Sequence, residues 1–417
     1  MTDRILRILK QKGIDKYVIY DETRISFEMF FIKKKVDMTR SNNVKVATVT
    51  LLRDFTEGDK QYTGNTHVFI YPQNTDEEIA AIIDDAYASA KYVKNPYYEL
   101  PKGSDTVIRY DGELSAKTLS DNAIRMAKAL YEADVREDAF INSAELFSIR
   151  KIVKITSSNG ADCSYEQYRI KGEYVTQSVI NGNDVELYNS FEYDNPDCEA
   201  LKKHCAEALS AAADRAVAEK APKDLSGVPI ILCNEALNSF MEFYLMRADS
   251  ALIYPGYSDY KVGMDVCAGL SGEKPSFEVS STTPFSNDGV LQTKREFLKD
   301  GVLQCIHGDN RFMYYLGKEQ TGRFNRVHMS NKNATAEDFK KTPYVLVRYF
   351  SDFQMDEMDG HFGGEFRLAT YFDGEKEHII TGGTVSGNIL TASSMQYSEE
   401  RYKDASYEGP KMIKINP

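Results

Sequence analysis

The apolar positions of residues 228–248 follow two different periods, one directly after the other. Residues 228–233 (VPIILC) form a continuous apolar run with the length of a buried strand. The residues that follow repeat at helical spacing, with an apolar stripe at Leu237, Phe240, Met241, Tyr244, Leu245 and Ala248. The pattern therefore predicts a buried strand that runs straight into an amphipathic helix. We expect the Asn234 side chain to cap the start of that helix.

The first half of the chain shows one order of elements twice. A helix over residues 3–12 precedes four strand-like runs and a second helix over about 76–91, which Thr75 and Glu78 open with a capping-box pattern. A helix over about 120–132 then precedes three more strand-like runs and a long Ala-rich helix over 197–220. The order predicts two lobes, each built from helices and an antiparallel sheet.

The second half is rich in strand patterns. Residues 295–307 and 367–381 each contain an Asp-Gly pair between apolar runs, which predicts tight hairpins. Beyond the helix that begins at Asn234, one further helix is predicted, over residues 310–316. The fold class expected is α+β, with helix and antiparallel-sheet lobes in the N-terminal half and a β-rich C-terminal half with few helices. Pro- and Gly-containing connectors suggest domains at residues 1–100, 105–222 and 226–417.

Composition narrows the classes of function. The 417 residues carry 51 basic and 63 acidic side chains, a net charge of −12 that argues against direct binding of nucleic acid. The first residues lack the apolar segment of a signal peptide, and no run is long enough to span a membrane. Six cysteines without a Cys-x-x-Cys pair are typical of free thiols in a reducing compartment. We therefore expect a cytoplasmic protein without a membrane span.

The strand and helix at residues 228–248 resemble the junction that carries the zinc site of the TldD peptidases, where the helix opens with HExxxH. Here residues 234–239 read NEALNS, so Glu235 and Ala236 match the motif. Asn234 and Ser239 stand where the two histidine ligands belong. A neutral amide and a hydroxyl are poor ligands for zinc, which prefers imidazole nitrogen and thiolate sulfur. The chain therefore resembles the TldE (PmbA) branch of the TldD/PmbA family, which lacks the HExxxH zinc motif.

Three further segments carry the same resemblance. Residues 286–317 are similar to the central C-terminal signature of the family, residues 362–390 to its second signature, and residues 410–415 to its terminal strand. In the TldD branch a cysteine near the C-terminus completes the zinc site. Here the last cysteine is Cys305, so all three ligands are missing together.

The resemblance implies a metal-free subunit of a TldD/TldE-type cytoplasmic metallopeptidase complex. A TldD-like partner subunit would supply the zinc, while this chain would shape the chamber and bind unfolded peptide. Asn234, Glu235 and Ser239 would be vestigial motif positions, and the chain would have no catalytic residue, metal or cofactor of its own. It would work as a homo- or hetero-oligomer. The family also carries the label "modulator of DNA gyrase", but the acidic composition favours no direct contact with DNA.

Two alternatives remain open. One is an active metallopeptidase with relocated ligands, for which Glu357, Asp359 and His361 are the first candidates, although an acidic surface loop explains them more simply. The other is a peptide-binding homo-oligomer without enzymatic activity, which offers a sheet edge to extended peptides. Glu235 has two readings as well, a general base or a first-turn glutamate favoured by the helix dipole.

Overall fold

The computed structural model describes residues 1–417 and contains 22% helix and 44% strand, which confirms the predicted α+β class with a β-rich C-terminal half. A 3₁₀ turn spans Glu113–Ala116. The α-helices are α1 (Thr2–Gln11), α2 (Asp76–Ala90), α3 (Leu119–Glu132), α4 (Cys198–Val217), α5 (Glu235–Arg247), α6 (Ser250–Ile253), α7 (Asn310–Tyr315) and α8 (Ala336–Phe339). None of them is long and apolar enough to cross a membrane.

Twenty-two strands form three sheets. Those of the N-terminal half are β1 (Tyr17–Ile32), β2 (Lys35–Glu57), β3 (Lys60–Ile70), β4 (Asn95–Pro96), β5 (Val107–Ile108), β6 (Phe140–Ser157), β7 (Asp162–Ile180), β8 (Asn183–Tyr193) and β9 (Glu219–Lys220). Those of the C-terminal half are β10 (Ile230–Cys233), β11 (Phe277–Ser280), β12 (Arg295–Lys299), β13 (Val302–Leu303), β14 (Arg326–Met329), β15 (Tyr344–Met355), β16 (His361–Phe372), β17 (Glu377–Thr381), β18 (Gly383–Asn388), β19 (Ser394–Tyr397), β20 (Arg401–Lys403), β21 (Tyr407–Pro410) and β22 (Met412–Asn416).

The first sheet joins both predicted lobes. Its order is β4-β3-β2-β1-β6-β7-β5, with β8 paired to β7, and β1 pairs antiparallel with β6 from Val18↔Ser157 to Ile32↔Ser143. Strands from residues 1–100 and 105–222 therefore share one continuous ladder. The division into domains at these boundaries stays a prediction.

The C-terminal half holds two further sheets around the largest apolar core. One has the order β19-β22-β10-β15-β16-β17-β9, with β18 on β16, and the other has the order β13-β12-β11-β14-β21-β20. Helix α5 follows β10 directly and contributes Leu237, Phe240 and Met241 to a cluster of 37 buried residues. This central position holds α5 rigidly between the strands that surround it.

The predicted elements lie close to the observed ones. Each predicted helix overlaps an observed helix, and the turns at Asp300-Gly301 and Asp373-Gly374 join paired strands. Asp300 and Gly301 both have positive φ, 48° and 76°, as a two-residue hairpin turn requires. The expectation of only one further C-terminal helix was wrong, because the single-turn helices α6 and α8 are also present. At four residues each, they are too short for an apolar stripe to reveal them.

Polar contacts tie the N-terminal sheet to the C-terminal half. Gln167 and Arg169 on β7 both donate to the carbonyl oxygen of Thr282, at 2.7 and 3.0 Å. Arg326 on β14 pairs with Asp194, which follows β8. The halves therefore meet along β7 and β8, beside the start of α5.

Candidate functional site

The candidate site is built around the junction of β10 and α5. All four residues of β10 are buried, and Asn234 turns the chain into the helix with φ 56° and ψ −133°. These angles are those of the first central residue of a type II′ turn, a region that favours glycine. The expected side-chain cap is absent, since the Asn234 amide makes no capping hydrogen bond. That prediction was wrong because the positive φ replaces the extended backbone of a normal N-cap residue.

The apolar face of helix α5 is buried and its polar face is more exposed, as predicted. Every residue of the apolar stripe is buried, and Phe240 contacts Phe362 of β16 edge-on, with ring centroids 5.2 Å apart. The opposite face carries Glu235, Asn238 and Ser239, which are exposed or half-buried. Because the apolar face is locked in the core, the polar face has one fixed direction, toward the N-terminal sheet.

A cavity of about 430 Å³ lies between this polar face and strand β8. Asn234, Glu235 and Ser239 all line it, so the structure brings the three motif positions singled out from the sequence together on one wall. The other walls come from β8, α4, β15 and β16, together with Tyr402 of β20. Two adjoining cavities, of about 590 and 630 Å³, share Ser190 and Tyr402 with it. Together they form a long cleft between the two halves of the chain.

Glu235 makes its contact across this cleft. The Ser190 hydroxyl of β8 donates a hydrogen bond to Glu235 Oε1 at 2.5 Å. A charge-assisted bond of this kind is stronger than a bond between neutral groups. Ser190 was not predicted from the sequence, since nothing in its local pattern distinguishes it from any other strand serine. The retained glutamate therefore links the two halves of the chain.

His204 of α4 closes the cavity on the side of the N-terminal half. The Tyr174 hydroxyl lies 3.4 Å from His204 Nδ1. Burial lowers the pKa of His204, against the opposing effect of the Glu207 and Glu235 carboxylates, so the imidazole is neutral at pH 7. Beside it, the Tyr349 hydroxyl donates to Asn189 Oδ1 at 2.7 Å. This wall is thus an uncharged hydrogen-bonding surface.

Two arginines line the far end of the cavity. Arg348 of β15 pairs with Asp214 of α4 at 2.5 Å, whereas Arg367 of β16 has no carboxylate partner and donates from Nε to Ser351 Oγ at 3.3 Å. Glu235 and Asp352 are the two carboxylates in the lining. The cavity therefore carries two positive and two negative side chains.

The residues at the motif positions do not fit a zinc ion. Asn234 and Ser239 offer only neutral oxygen and nitrogen atoms, and the Glu235 carboxylate already accepts the bond from Ser190. The nearby Cys233 thiol donates to the carbonyl oxygen of Val347 at 3.3 Å, and burial raises its pKa to about 12.

The alternative cluster at residues 357–361 does not assemble either. His361 Nδ1, at the start of β16, lies 2.9 Å from Asp359 Oδ1 in the preceding turn, and both side chains are largely exposed. No group of three or more His, Cys, Asp and Glu side chains in the chain is placed to hold a metal ion. The structure brings Asp359 and His361 together as an exposed pair without a further ligand.

Comparisons with known proteins show what this chain is similar to. Residues 226–413 match the model of the PmbA/TldA metallopeptidase C-terminal domain. TldE from Thermococcus kodakarensis has a similar structure, with a TM-score of 0.75 and 15% identity over 99% of this chain and 98% of that one. A protein from Thermotoga maritima, described as a modulator of a DNA gyrase, has a TM-score of 0.75 and 16% identity over 100% and 98% of the two chains. Among curated protein sequences none matches this chain.

Proposed function

Because this chain belongs to the TldD/PmbA family through a C-terminal domain at residues 226–413, we propose that it is the metal-free, TldE-like subunit of a heteromeric peptidase. In this proposal a TldD-like partner carries the metal and performs hydrolysis. This chain forms one wall of the shared chamber and holds unfolded peptide in the cleft between its own two halves.

The main support is the state of the motif positions themselves. Asn234, Glu235 and Ser239 keep the place of the peptidase motif beside a cavity, yet they present no set of ligands for a metal. Glu235 accepts a hydrogen bond from Ser190, and the neighbouring Asn234 and Ser239 are poor ligands for a metal that would place an activated water beside its carboxylate. These three residues line a cavity but offer no metal ligands, and this combination favours a role in holding substrate.

The lining of the cleft favours peptide as the ligand. Asn234 and Ser239 face the cavity without side-chain hydrogen bonds to the protein, and Tyr349, Phe350 and Tyr402 add aromatic surface. Ligand sites commonly combine apolar and aromatic walls with a few polar groups. Peptides present both amide groups and apolar side chains, so this mixed lining suits them.

Metal content per chain tests the proposal most directly. We expect the chain, purified without chelators or a histidine tag, to contain almost no zinc by mass spectrometry and to hydrolyse no unstructured peptide alone. Mixed with a TldD-like protein of the same genome that carries HExxxH, it should form a stable complex that hydrolyses peptide. About one zinc per chain, or hydrolysis by this chain alone that a chelator abolishes, would refute the metal-free assignment.

A pair of matched variants separates the roles of the two subunits. Glu235→Gln in this chain should leave most of the hydrolytic activity of the complex intact, since the carboxylate has no metal-bound water to act on. The same change in the partner's HExxxH glutamate should abolish activity. Equal loss from both variants would show that Glu235 takes part in catalysis, and the subunit would need another assignment.

A further inference from the structure

The pairing of β15 with β16 is interrupted three times within a few residues. The register runs from Val347↔Ala369 to Tyr349↔Leu368, then to Phe350↔Phe366 and to Asp352↔Glu365. Three residues are left without a partner in this ladder: Arg348 and Ser351 on β15 and Arg367 on β16. Bulges of this kind redirect side chains and are frequent beside active sites.

The three bulged residues point to the same place. Arg348, Ser351 and Arg367 all line the cavity of about 430 Å³. The Arg367 guanidinium uses only Nε, toward Ser351, and Arg348 uses only Nη1, toward Asp214. Each arginine has five N–H donors, so most donors of both groups remain free for a ligand. The irregular ladder thus concentrates unused hydrogen-bond donors at one end of the cavity.

The charge at this end is not fully compensated. Arg367 has no acidic partner, and its positive charge adds to burial in lowering the pKa of the neighbouring Arg215 on α4. Asp352 lies in the same wall, where its carboxylate accepts a bond from the Gln354 amide at 2.8 Å. Arg348 already pairs with Asp214, so Arg367 is the cation of this end that lacks an acidic partner, and a single negative charge beside it would complete the ion pairing.

We propose that Arg348 and Arg367 bind the C-terminal carboxylate of a peptide held in the cavity. This inference rests on the proposed peptide-binding function and adds the end of the peptide that is recognised. Arginine matches the two oxygens of a carboxylate with parallel N–H donors. The negative charges of Glu235 and Asp352 repel a phosphate dianion more strongly than a carboxylate, which carries a single negative charge. A carboxylate-ended peptide therefore fits the lining better than a phosphorylated ligand.

The absence of Trp from the chain makes the test simple, because the fluorescence of a Trp-containing peptide then reports on the ligand alone. The probes are the tetrapeptide Ala-Ala-Trp-Ala with a free C-terminus and the same peptide with a C-terminal amide. Titrated with the full-length chain, the free acid should bind at least about 10-fold more tightly than the amide, given the strength of charge-assisted hydrogen bonds.

Variants assign that preference to the bulged arginines. Arg367→Gln should reduce the affinity for the acid peptide about 10-fold and leave the affinity for the amide peptide unchanged, so that the preference disappears. Arg367→Lys keeps the positive charge but loses the two parallel N–H donors of the guanidinium, so it should retain part of the preference for the acid peptide. The control is Arg295→Gln on β12, whose partner Glu319 lies outside the cavity, and it should bind like the native chain.

The outcomes separate the two proposals. Equal binding of the acid and amide peptides by the native chain would overturn the carboxylate site and leave peptide binding intact. A preference that survives in Arg367→Gln with a native circular dichroism spectrum would overturn it as well. Binding of neither peptide would refute both the carboxylate site and the proposed peptide-holding role.

Discussion

The N-termini of α2 and α5 differ in backbone conformation and in side-chain capping. At α2, Thr75 has an extended backbone, its hydroxyl accepts from the Glu78 amide, and the Glu78 carboxylate accepts in return from the Thr75 amide. At α5, Asn234 has φ 56°, and its amide makes no capping bond. Both starts carry a residue type that favours N-caps. Only the start that lies beside the cavity departs from the local rule.

The difference shows where tertiary structure overrides local preference. Helix α2 begins on the surface, where nothing competes with its capping box. Helix α5 begins between a buried strand and a cavity, and the sharp turn at Asn234 is what directs Glu235 toward Ser190 on β8. Unfavourable backbone angles of this kind collect at functional sites because the surrounding fold holds them in place.

The largest difference in stability between the two helix starts is expected when each is given a β-branched residue. Asn234→Val puts a side chain with two Cβ substituents at positive φ, and we expect a loss of about 2 kcal/mol or more in the free energy of unfolding. Thr75→Val keeps a favourable extended backbone and loses only the cap, at about 1 kcal/mol. Urea titration of both variants measures the two values. Equal losses would mean that Asn234 is not strained.

Substitution by glycine should stabilise the chain at the start of α5 and destabilise it at the start of α2. Asn234→Gly relieves the positive φ and should stabilise the chain by about 1 kcal/mol. Thr75→Gly, in contrast, should cost a few tenths of a kcal/mol, because glycine is an acceptable but weaker cap residue. If Asn234→Gly instead lowers the urea midpoint, a favourable interaction of the Asn234 amide outweighs the backbone strain.

Removing the charge of each glutamate should have small and similar effects on stability. Glu78→Gln keeps a capping-box acceptor, and Glu235→Gln keeps an acceptor for Ser190, so each should cost about 0.5 to 1 kcal/mol. Thermal unfolding checks these values. The two variants should differ in ligand binding, since only Glu235 lines the cavity. A change in peptide affinity for Glu78→Gln would contradict this separation.

Acid should weaken the packing beside α5 through His204 on α4. Burial lowers the pKa of His204 below its ordinary value of 6.5, so the unfolded chain takes up the proton at a higher pH than the folded chain. The stability that this histidine contributes is complete above about pH 6.5 and is lost as the pH falls toward its folded pKa.

The variant His204→Gln checks this prediction. Its free energy of unfolding should fall less steeply than that of the native chain between neutral pH and about pH 5, with the buried His307 and the half-buried His328 accounting for part of the remaining slope. Thr75→Ala serves as the control and should keep the native slope. An unchanged slope in His204→Gln would show that His204 titrates normally.

Much of the fold follows from patterns that are local in sequence. The stripe on α5, the capping box of α2 and the Asp-Gly turn at residues 300–301 were all predicted and are all present. Each depends on a few neighbouring residues and on one periodicity. The family resemblance was likewise carried by short segments, and residues 226–413 match the family model.

The site itself was only half predictable. Sequence singled out Asn234, Glu235 and Ser239, and the structure places them together on a cavity wall. It did not indicate Ser190 or the bulges that expose Arg348 and Arg367, because these depend on strand register and on the packing of one half against the other. The missing cap at Asn234 has the same origin. Their roles as site residues remain predictions for the experiments above.

The pairing of β1 with β6 has a consequence for how the protein is synthesised. Strands β1, β2 and β3 leave the ribosome early and can pair with one another. The second edge of β1 stays unpaired until β6, which lies far downstream in the sequence, has been synthesised. Until then that edge exposes unpaired amides and the ring of Phe30, which later packs edge-on against Phe147. The nascent chain thus passes through a state that is prone to aggregate, and chaperones that bind extended segments would act during this interval.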